Sequence, residues 1–411
     1  MISILDSAIA SRVEPTLLRG YMKVFKAATA VLPFKWPRVF DGPGSSAELV
    51  RHIAFAGHRR VLIVTDAVLH ELGLLDAIKA QLGELGIAYA VYDGVQPDPT
   101  VAQIEEGFAV LSRERCEAIL AVGGGSPIDA AKFIAARAKN DKPIAKMAGL
   151  FRIWRGMLPL YAVPTTAGTG SEASVGAVVS DPDAQRKYPA VDLRFLPTAV
   201  ALDGALMTGV PPSVTAATGM DALTHAVEAY VSRIATPATD ELATRAAKLI
   251  LSNLESAYAD GQDVEVRQRL SRAAHLAGIA FSQAGLGYVH GIAHNFGARY
   301  HIPHGVANAI AMPHVLDYSL PACEGRLAEL ARACDVGPEA GSDRERAEAF
   351  IERIRQLNAT FDIPSALAEL DPADIPAIAR AARAEARFMY AVPRYMSQAA
   401  AESVVRRMLV A

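Results

Sequence analysis

The chain has 411 residues, too many for one ordinary domain and few for three, so two are expected. A hydrophobic content of 51% with only 7% aromatic residues supports large aliphatic cores and excludes a disordered chain. With 41 Lys and Arg against 44 Asp and Glu, the net charge is −3 and no charge run stands out, so neither nucleic acid nor a membrane surface is an expected partner. Cys116, Cys323 and Cys334 are too few for a disulfide framework, and none forms a CxxC pair, which points to the reducing cytoplasm. No run of 18 apolar residues occurs, and the first residues lack a basic stretch ahead of their apolar ones, so a soluble protein without a secretory signal is expected.

Residues 1–35 stand apart as an N-terminal extension. Residues 21–32 fit an amphipathic helix that Pro33 and Pro37 then break, expected to dock on the body or on a neighbouring subunit. From 36 to about 206, short apolar runs alternate with helical patterns. Strands are expected at 60–66, 118–122, 160–164 and 199–203, with helical spacing over 70–86 and 99–114 between the first two. Strands separated by helices of that length make βαβ units, so 36–210 is expected to form an α/β dinucleotide-binding domain with a mostly parallel, Rossmann-like sheet. Pro211-Pro212 marks a boundary. Beyond it, helical spacing runs through 215–232, 240–259, 263–284, 324–334, 344–357 and 399–409. Beta-branched alternation almost vanishes there, so 211–411 is expected to be all-helical.

Two turns carry ligand chemistry. Gly123-Gly124-Gly125-Ser126 directly follows a strand and opens a helix that contains Asp129 and Lys132. Backbone N–H groups at a helix start, with no Cβ to hold a ligand away, make an anion site whose natural guest is a diphosphate. Ile128 stands where GxGxxG has its third glycine, so the Rossmann fingerprint itself is missing. Residues 164–172, Pro-Thr-Thr-Ala-Gly-Thr-Gly-Ser-Glu, also follow a strand, and their hydroxyls suit a ribose, a phosphate or a carboxamide. Such turns at two strand ends fit a ligand in the crevice at the sheet's edge. Asp66, ending the first strong strand, can bond a ribose hydroxyl and repel a 2′-phosphate, which favours NAD over NADP; capping a helix is its plainer use.

Seven of the ten histidines fall between 225 and 314. Asp221 and His225 are four apart, which on a helix aims both side chains at a common spot. His290 and His294 repeat the spacing, and His304 follows ten residues later. Imidazoles with one carboxylate are a ligand set for Fe²⁺ or Zn²⁺. His52, His58 and His70 lie in polar segments and are expected at the surface. His275 reads as a satisfied core residue, and His314 is not counted in the site.

Together these segments resemble the iron-containing (group III) alcohol dehydrogenase family. The likeness rests on 123–132, 164–172, 219–230 and 287–308, and 39–44 look like the family's first strand and turn. It covers roughly 36–411 and implies the architecture shared with dehydroquinate synthase, an α/β domain followed by an all-α domain. The resemblance implies metal ligands at Asp221, His225, His290 and His304, with His294 a catalytic residue near the reacting carbon and not a ligand. The cofactor diphosphate would fall on Gly124, Gly125 and Ser126, and Thr165, Thr166 and Thr169 around the nucleoside and nicotinamide. Lys187 would reach the cofactor, Asp66 would be the NAD-favouring acid, and Asp129 is counted with the cofactor-binding residues. Phe281 matches an aromatic of the family's substrate pocket, although a core aromatic on a helix describes it as well. The chain departs from the family pattern at Gly176, where a larger residue is usual, at His301, at Asp203-Gly204, at Val392-Pro-Arg394 and in the extension 1–35.

The activity so implied is reversible oxidation of a primary alcohol to an aldehyde, with hydride passing to NAD and Fe²⁺ or Zn²⁺ polarising the alcohol oxygen. His294 would relay the released proton, and Gly176 with Phe281 would leave room for bulky or longer alcohols. A homo-oligomer, at its simplest a dimer, is expected. Other readings stay open. A dehydroquinate-synthase-like lyase would need a Lys and Arg cluster for an acidic substrate, and the histidine region offers Arg299. A hydroxyacid-oxoacid transhydrogenase would keep its NAD tightly bound. A metal- or nucleotide-responsive binding protein would hold both groups without turnover.

Overall fold

The computed structural model describes residue 20, residues 32–182 and residues 186–410, leaving aside the side chains of 186, 187 and 388. The helix expected over 21–32 therefore lies outside the described residues, apart from its last. Two compact units make up the chain. One is Pro33–Thr215 with Ala259–Gly278; the other includes Ala216–Tyr258 and Ile279–Ala411.

In the first unit the apolar runs become buried strands. In chain order it carries β1 (Arg38–Asp41), α1 (Ser45–Phe55), β2 (Arg60–Val64), α2 (Ala67–Glu71), α3 (Asp76–Glu84), β3 (Ala88–Tyr92) and α4 (Val101–Arg113). There follow β4 (Ala118–Gly123), α5 (Gly125–Arg137), β5 (Gly149–Leu150), β6 (Leu160–Pro164), β7 (Gly176–Asp181), β8 (Arg186–Val191) and β9 (Ala199–Leu202). Six strands in the order β1-β9-β6-β4-β2-β3 form one sheet, every neighbour parallel. β5, β8 and β7 make a smaller sheet, in which β7 and β8 run antiparallel with Ser180 opposite Lys187.

Successive residues of the large sheet serve two cores. Val61, Ile63, Leu120 and Val122 pack with α1 and α3, whereas Leu62, Val64, Ile119 and Ala121 pack with α4 and α5. Covering both faces is what makes these strands read as continuous apolar runs. β3, which the sequence reading did not set out, is an edge strand, partly exposed, so its Ala-Tyr-Ala-Val-Tyr lacks that signal. Strand order reverses between β2 and β4, and their carboxyl ends lead into Asp66 and the glycine turn. A ligand crevice forms at such a reversal in parallel sheets.

The remaining helices are α6 (Pro212–Val231), α7 (Pro237–Ala259), α8 (Val264–Ala284), α9 (Tyr288–Tyr300), α10 (His304–Ala333), α11 (Asp343–Thr360), α12 (Ile375–Met389) and α13 (Gln398–Arg406). Pro212 sits at the start of α6, where its missing N–H has no intrahelical partner to lose. Pro313 and Pro321 lie inside α10, which bends at Cys323 (φ −141°, ψ 21°). None of the described helices is long and apolar enough to cross a membrane.

The sheet unit also takes in Ala259–Gly278, a segment the sequence reading assigned to the helical domain. Backbone approaches account for it. A Cβ on Gly204 would fall 2.6 Å from the Gln268 nitrogen, and one on Gly170 would fall 2.8 Å from the Ala274 carbonyl oxygen. Gln268 also accepts the Gly204 N–H at 2.7 Å and donates to the Leu202 carbonyl at 2.8 Å.

Candidate metal and cofactor sites

The helical unit brings the proposed metal ligands together. Asp221 and His225 lie one turn apart on α6, both buried, while His290 is on α9 and His304 opens α10. Gly305 allows that approach, since a Cβ there would fall 2.1 Å from the Ala217 carbonyl oxygen. Asp221 Oδ1 is 3.5 Å from His304 Nε2 and 3.8 Å from Nε2 of both His225 and His290. Those separations are too long for hydrogen bonds. They suit groups about 2.1 Å from one ion, whose ligand atoms lie about 3.4 Å apart in a tetrahedron. The ligand atoms of Asp221, His290 and His304 all fall within 4.8 Å of one another. A carboxylate with imidazoles fits Fe²⁺ or Zn²⁺.

Two residues that orient this cluster escaped the sequence reading. Asn308, buried one turn beyond His304, donates from Nδ2 to Asp221 Oδ1 at 2.7 Å and lies 3.2 Å from Nε2 of His290 and of His304. Its signal was the same four-residue spacing that links Asp221 to His225. Glu228, on α6, accepts the N–H groups of Gly287 (2.9 Å) and Val289 (2.8 Å), and its Oε2 is 2.6 Å from His290 Nδ1. Burial pushes its carboxyl up to about 8, with the backbone N–H bonds acting against that rise. Above that value it is a carboxylate, and a carboxylate on Nδ1 directs Nε2 of His290 at the cluster. Burial, then the neighbouring His225, His304 and His294, hold His290 well below the usual imidazole range, in the neutral form that binds a metal.

His294 stacks on His304 with centroids 5.3 Å apart, and its Nδ1 is 2.8 Å from Glu385 Oε1 on α12. The Tyr390 hydroxyl donates to the same oxygen. Burial raises the Glu385 carboxyl, but His294 and Tyr390 outweigh it and hold the group below its usual range. Phe281 lies on the His225 ring at 4.4 Å, so it touches a proposed ligand and is more than a distant core aromatic. His301 ends α9 in the left-handed region (φ 57°), which histidine tolerates better than most side chains do. His314 faces the Ser365 carbonyl at 3.4 Å.

The cofactor candidates belong to the sheet unit. Gly123 ends β4 at φ 153°, and Gly124 precedes α5 without a side-chain cap. A Cβ on Gly125 would fall 2.7 Å from Thr169 Cγ2, and one on Gly124 would fall 3.2 Å from Thr166 Oγ1. The two polar turns thus touch through small residues, joined by the Thr165 N–H to the Gly123 carbonyl at 3.0 Å. Ser126 lies in the first turn of α5, whose N–H groups form an anion site.

Asp129 is engaged within the chain. Its oxygens accept from Ser171 Oγ (2.5 Å) and the Val178 N–H (2.9 Å). Lys132, fully buried, donates to Ser171 Oγ and to the carbonyls of Ser174 and Gly176 at 3.0, 3.1 and 2.6 Å. Burial pushes Asp129 up and Lys132 down, each opposed by the other's charge. The pair ties the helix after the glycine turn to the segment 171–178. Asp66 caps α2, accepting the Leu69 N–H at 2.9 Å. Lys187 lies in β8, its side chain outside the described residues. A Cβ on Gly176 would meet Ser174 Oγ at 3.3 Å. His275 is the satisfied core residue expected, its Nδ1 3.0 Å from Glu172 Oε1 with both side chains buried. His70 pairs with Asp93 at 2.6 Å and His58 with the Tyr161 hydroxyl at 3.1 Å.

Residues 37–204 match the family model described as iron-containing alcohol dehydrogenase, and 215–409 match that of the C-terminal part of the Fe-containing alcohol dehydrogenase family. The NAD-dependent methanol dehydrogenase of Bacillus methanolicus is 39% identical over 334 residues, 81% of this chain and 88% of that protein. The 1,3-propanediol dehydrogenase of Klebsiella pneumoniae is 40% identical over 347 residues, 84% of this chain and 90% of that one. Among solved structures, the alcohol dehydrogenase from Oenococcus oeni has a TM-score of 0.89 at 35% identity, covering 92% of this chain and 100% of its own. The chain belongs to the iron-containing alcohol dehydrogenase family.

Proposed function

We propose that this alcohol dehydrogenase reversibly oxidises primary alcohols to aldehydes with NAD, using Fe²⁺ or Zn²⁺ held by Asp221, His225, His290 and His304. The main support is the convergence of three imidazole Nε2 atoms on Asp221 Oδ1, at 3.5 to 3.8 Å. When bound, the ion supplies Lewis acidity toward the alcohol oxygen, and the nicotinamide accepts the hydride. Gly124, Gly125 and Ser126 bind the diphosphate at the start of α5, and Thr165, Thr166 and Thr169 offer hydroxyls to the nucleoside and nicotinamide. The family resemblance adds Lys187 to the cofactor-binding residues. Asp66, just beyond β2, is the acidic residue of this reading, and an acid there disfavours a 2′-phosphate. As hydride leaves the alcohol carbon, the hydroxyl proton passes to His294 and on to solvent, and the carbonyl forms.

Relatives named for methanol, 1,3-propanediol and lactaldehyde support small primary alcohols and diols as substrates. Gly176, where the family has a larger residue, and Phe281, which stacks on the His225 ring, are the substrate residues of this reading, which expects longer chains to be accepted. The same reading puts the enzyme in the cytoplasm, where three buried free cysteines stay reduced, and makes it a homo-oligomer, a dimer at its simplest. The test is the initial rate of NAD and NADP reduction at alkaline pH with alcohols from methanol to benzyl alcohol and with 1,3-propanediol. NAD should be preferred by about tenfold or more, equivalent to ~1.4 kcal/mol of charge repulsion. A steep preference for ethanol over longer and aromatic alcohols would overturn the pocket assignment. Silence with every alcohol would overturn the reaction.

A further inference from the structure

We infer that Glu385 and Tyr390 fix the ring tautomer of His294, which makes Glu385 a positioning residue for the proton step. The inference rests on the reading above in which His294 carries the alcohol proton. It begins with a close helix crossing. A Cβ on Gly291 of α9 would lie 3.3 Å from the carbonyl oxygen and 3.6 Å from the Cα of Ala382 on α12. Three residues further along each helix stand His294 and Glu385, so the small pair Gly291 and Ala382 sets the imidazole beside the carboxylate. Their Nδ1 to Oε1 separation is 2.8 Å.

The direction of that hydrogen bond follows from counting hydrogens. The buried Tyr390 hydroxyl has one hydrogen and donates it to Glu385 Oε1. Burial first, then the Glu385 charge, keeps that phenol protonated and therefore a permanent donor. Glu385 receives, so the hydrogen between it and His294 belongs to Nδ1. In the ring's one-hydrogen form Nε2 then keeps its lone pair and is the nitrogen able to take a proton. The same device recurs one turn back, where Glu228 lies on Nδ1 of His290. One carboxylate aims a metal ligand, the other a proton carrier. Without Glu385 the ring would populate both tautomers and lose its fixed orientation, as happens when the acid behind a catalytic histidine is removed.

The experiment uses the full-length, zinc-loaded enzyme labelled with [15N]histidine. Long-range 1H–15N correlation reports the tautomer of His294, whose signals are identified by their loss in His294→Ala. The wild type should carry its hydrogen on Nδ1. Glutamine would keep an acceptor where Oε1 stands toward both His294 and Tyr390, so the test is Glu385→Leu, in which nothing accepts from Nδ1 and the hydrogen should be shared between Nδ1 and Nε2. The burst of NADH formation after rapid mixing should fall about 10²-fold or more in that variant, as expected for loss of general base catalysis. Tyr390→Phe should cost about tenfold, typical of removing an outer-shell partner. Zinc affinity should stay within about twofold of wild type in both, which separates a lost orientation from a damaged site. Retention of a pure Nδ1–H tautomer in Glu385→Leu would overturn the inference, as would an undiminished burst in that variant while His294→Ala loses it. A wild-type burst in His294→Ala would instead overturn the proton-carrying role of His294, and the tautomer spectrum would still decide whether Glu385 orients the ring.

Discussion

Replacing Glu228 by Gln isolates one feature of the proposed metal site, because glutamine keeps the shape and removes one acceptor. Three N–H groups converge on this carboxylate: Gly287 at 2.9 Å, Val289 at 2.8 Å and the His290 ring at 2.6 Å. Glutamine has a single acceptor oxygen. With that oxygen toward Gly287 and His290, its NH₂ faces the Val289 N–H, donor against donor. With the amide reversed, its NH₂ meets the Gly287 N–H and His290 Nδ1, which drives the ring hydrogen onto Nε2, the ligand nitrogen. The first arrangement leaves one buried N–H unsatisfied, at about 1–3 kcal/mol of stability. Either one weakens the support behind His290, which for such partners lowers metal affinity about 10–100-fold, or ~1.4–2.8 kcal/mol. Competition with a chromogenic chelator for Zn²⁺ measures the affinity, and circular dichroism confirms the fold. A Zn²⁺ affinity within twofold of wild type would refute the claim that Glu228 aims His290.

Three further outcomes follow from the same geometry. Stripping the metal should lower the melting temperature, because an ion at about 100 times its Kd stabilises by about 2.7 kcal/mol; that difference should vanish in His290→Ala. Lys132→Met leaves the partly buried Asp129 without its cation, 3.7 Å away in the native chain, and should destabilise by about 3 kcal/mol in urea unfolding. A loss under about 1 kcal/mol would mean that Ser171 and Val178 suffice for the carboxylate. Gly125→Val puts a branched side chain where even a Cβ lies 2.7 Å from Thr169 Cγ2. NADH binding by fluorescence titration should weaken about tenfold or more, ~1.4 kcal/mol, with Zn²⁺ affinity unchanged, and unaltered NADH binding would remove the turn from the cofactor site.

Much of the fold was legible because β2, β4, β6 and β9 are buried on both faces and so appear as uninterrupted aliphatic runs. β3 left no such mark at the sheet's edge. The packing of Ala259–Gly278 with the sheet depends on glycines at 170, 204 and 278 letting backbones meet, which helical periodicity does not report. At the proposed metal site, residue type and helical spacing pointed to Asp221 with His225 and to His290 with His294, while the choice of His290 and His304 over His294 as ligands came from the family resemblance. Glu228 was not legible, since its partners come from the turn and helix start some 60 residues on. Glu385 is further removed, 91 residues beyond His294, and reaches it only through the Gly291 and Ala382 crossing. Asp129 shows the converse. Its place beside the glycine turn suggested a cofactor contact, but its oxygens are engaged by Ser171 and Val178, partners made available only by folding.

The most direct test of the account is NADH formation from a primary alcohol by protein purified without oxygen, stripped of metal and reloaded with Fe²⁺ or Zn²⁺. The account predicts that NADH appears only after reloading and is lost in His290→Ala. NADH formation without metal, or none when metal and NAD are both bound, would contradict it.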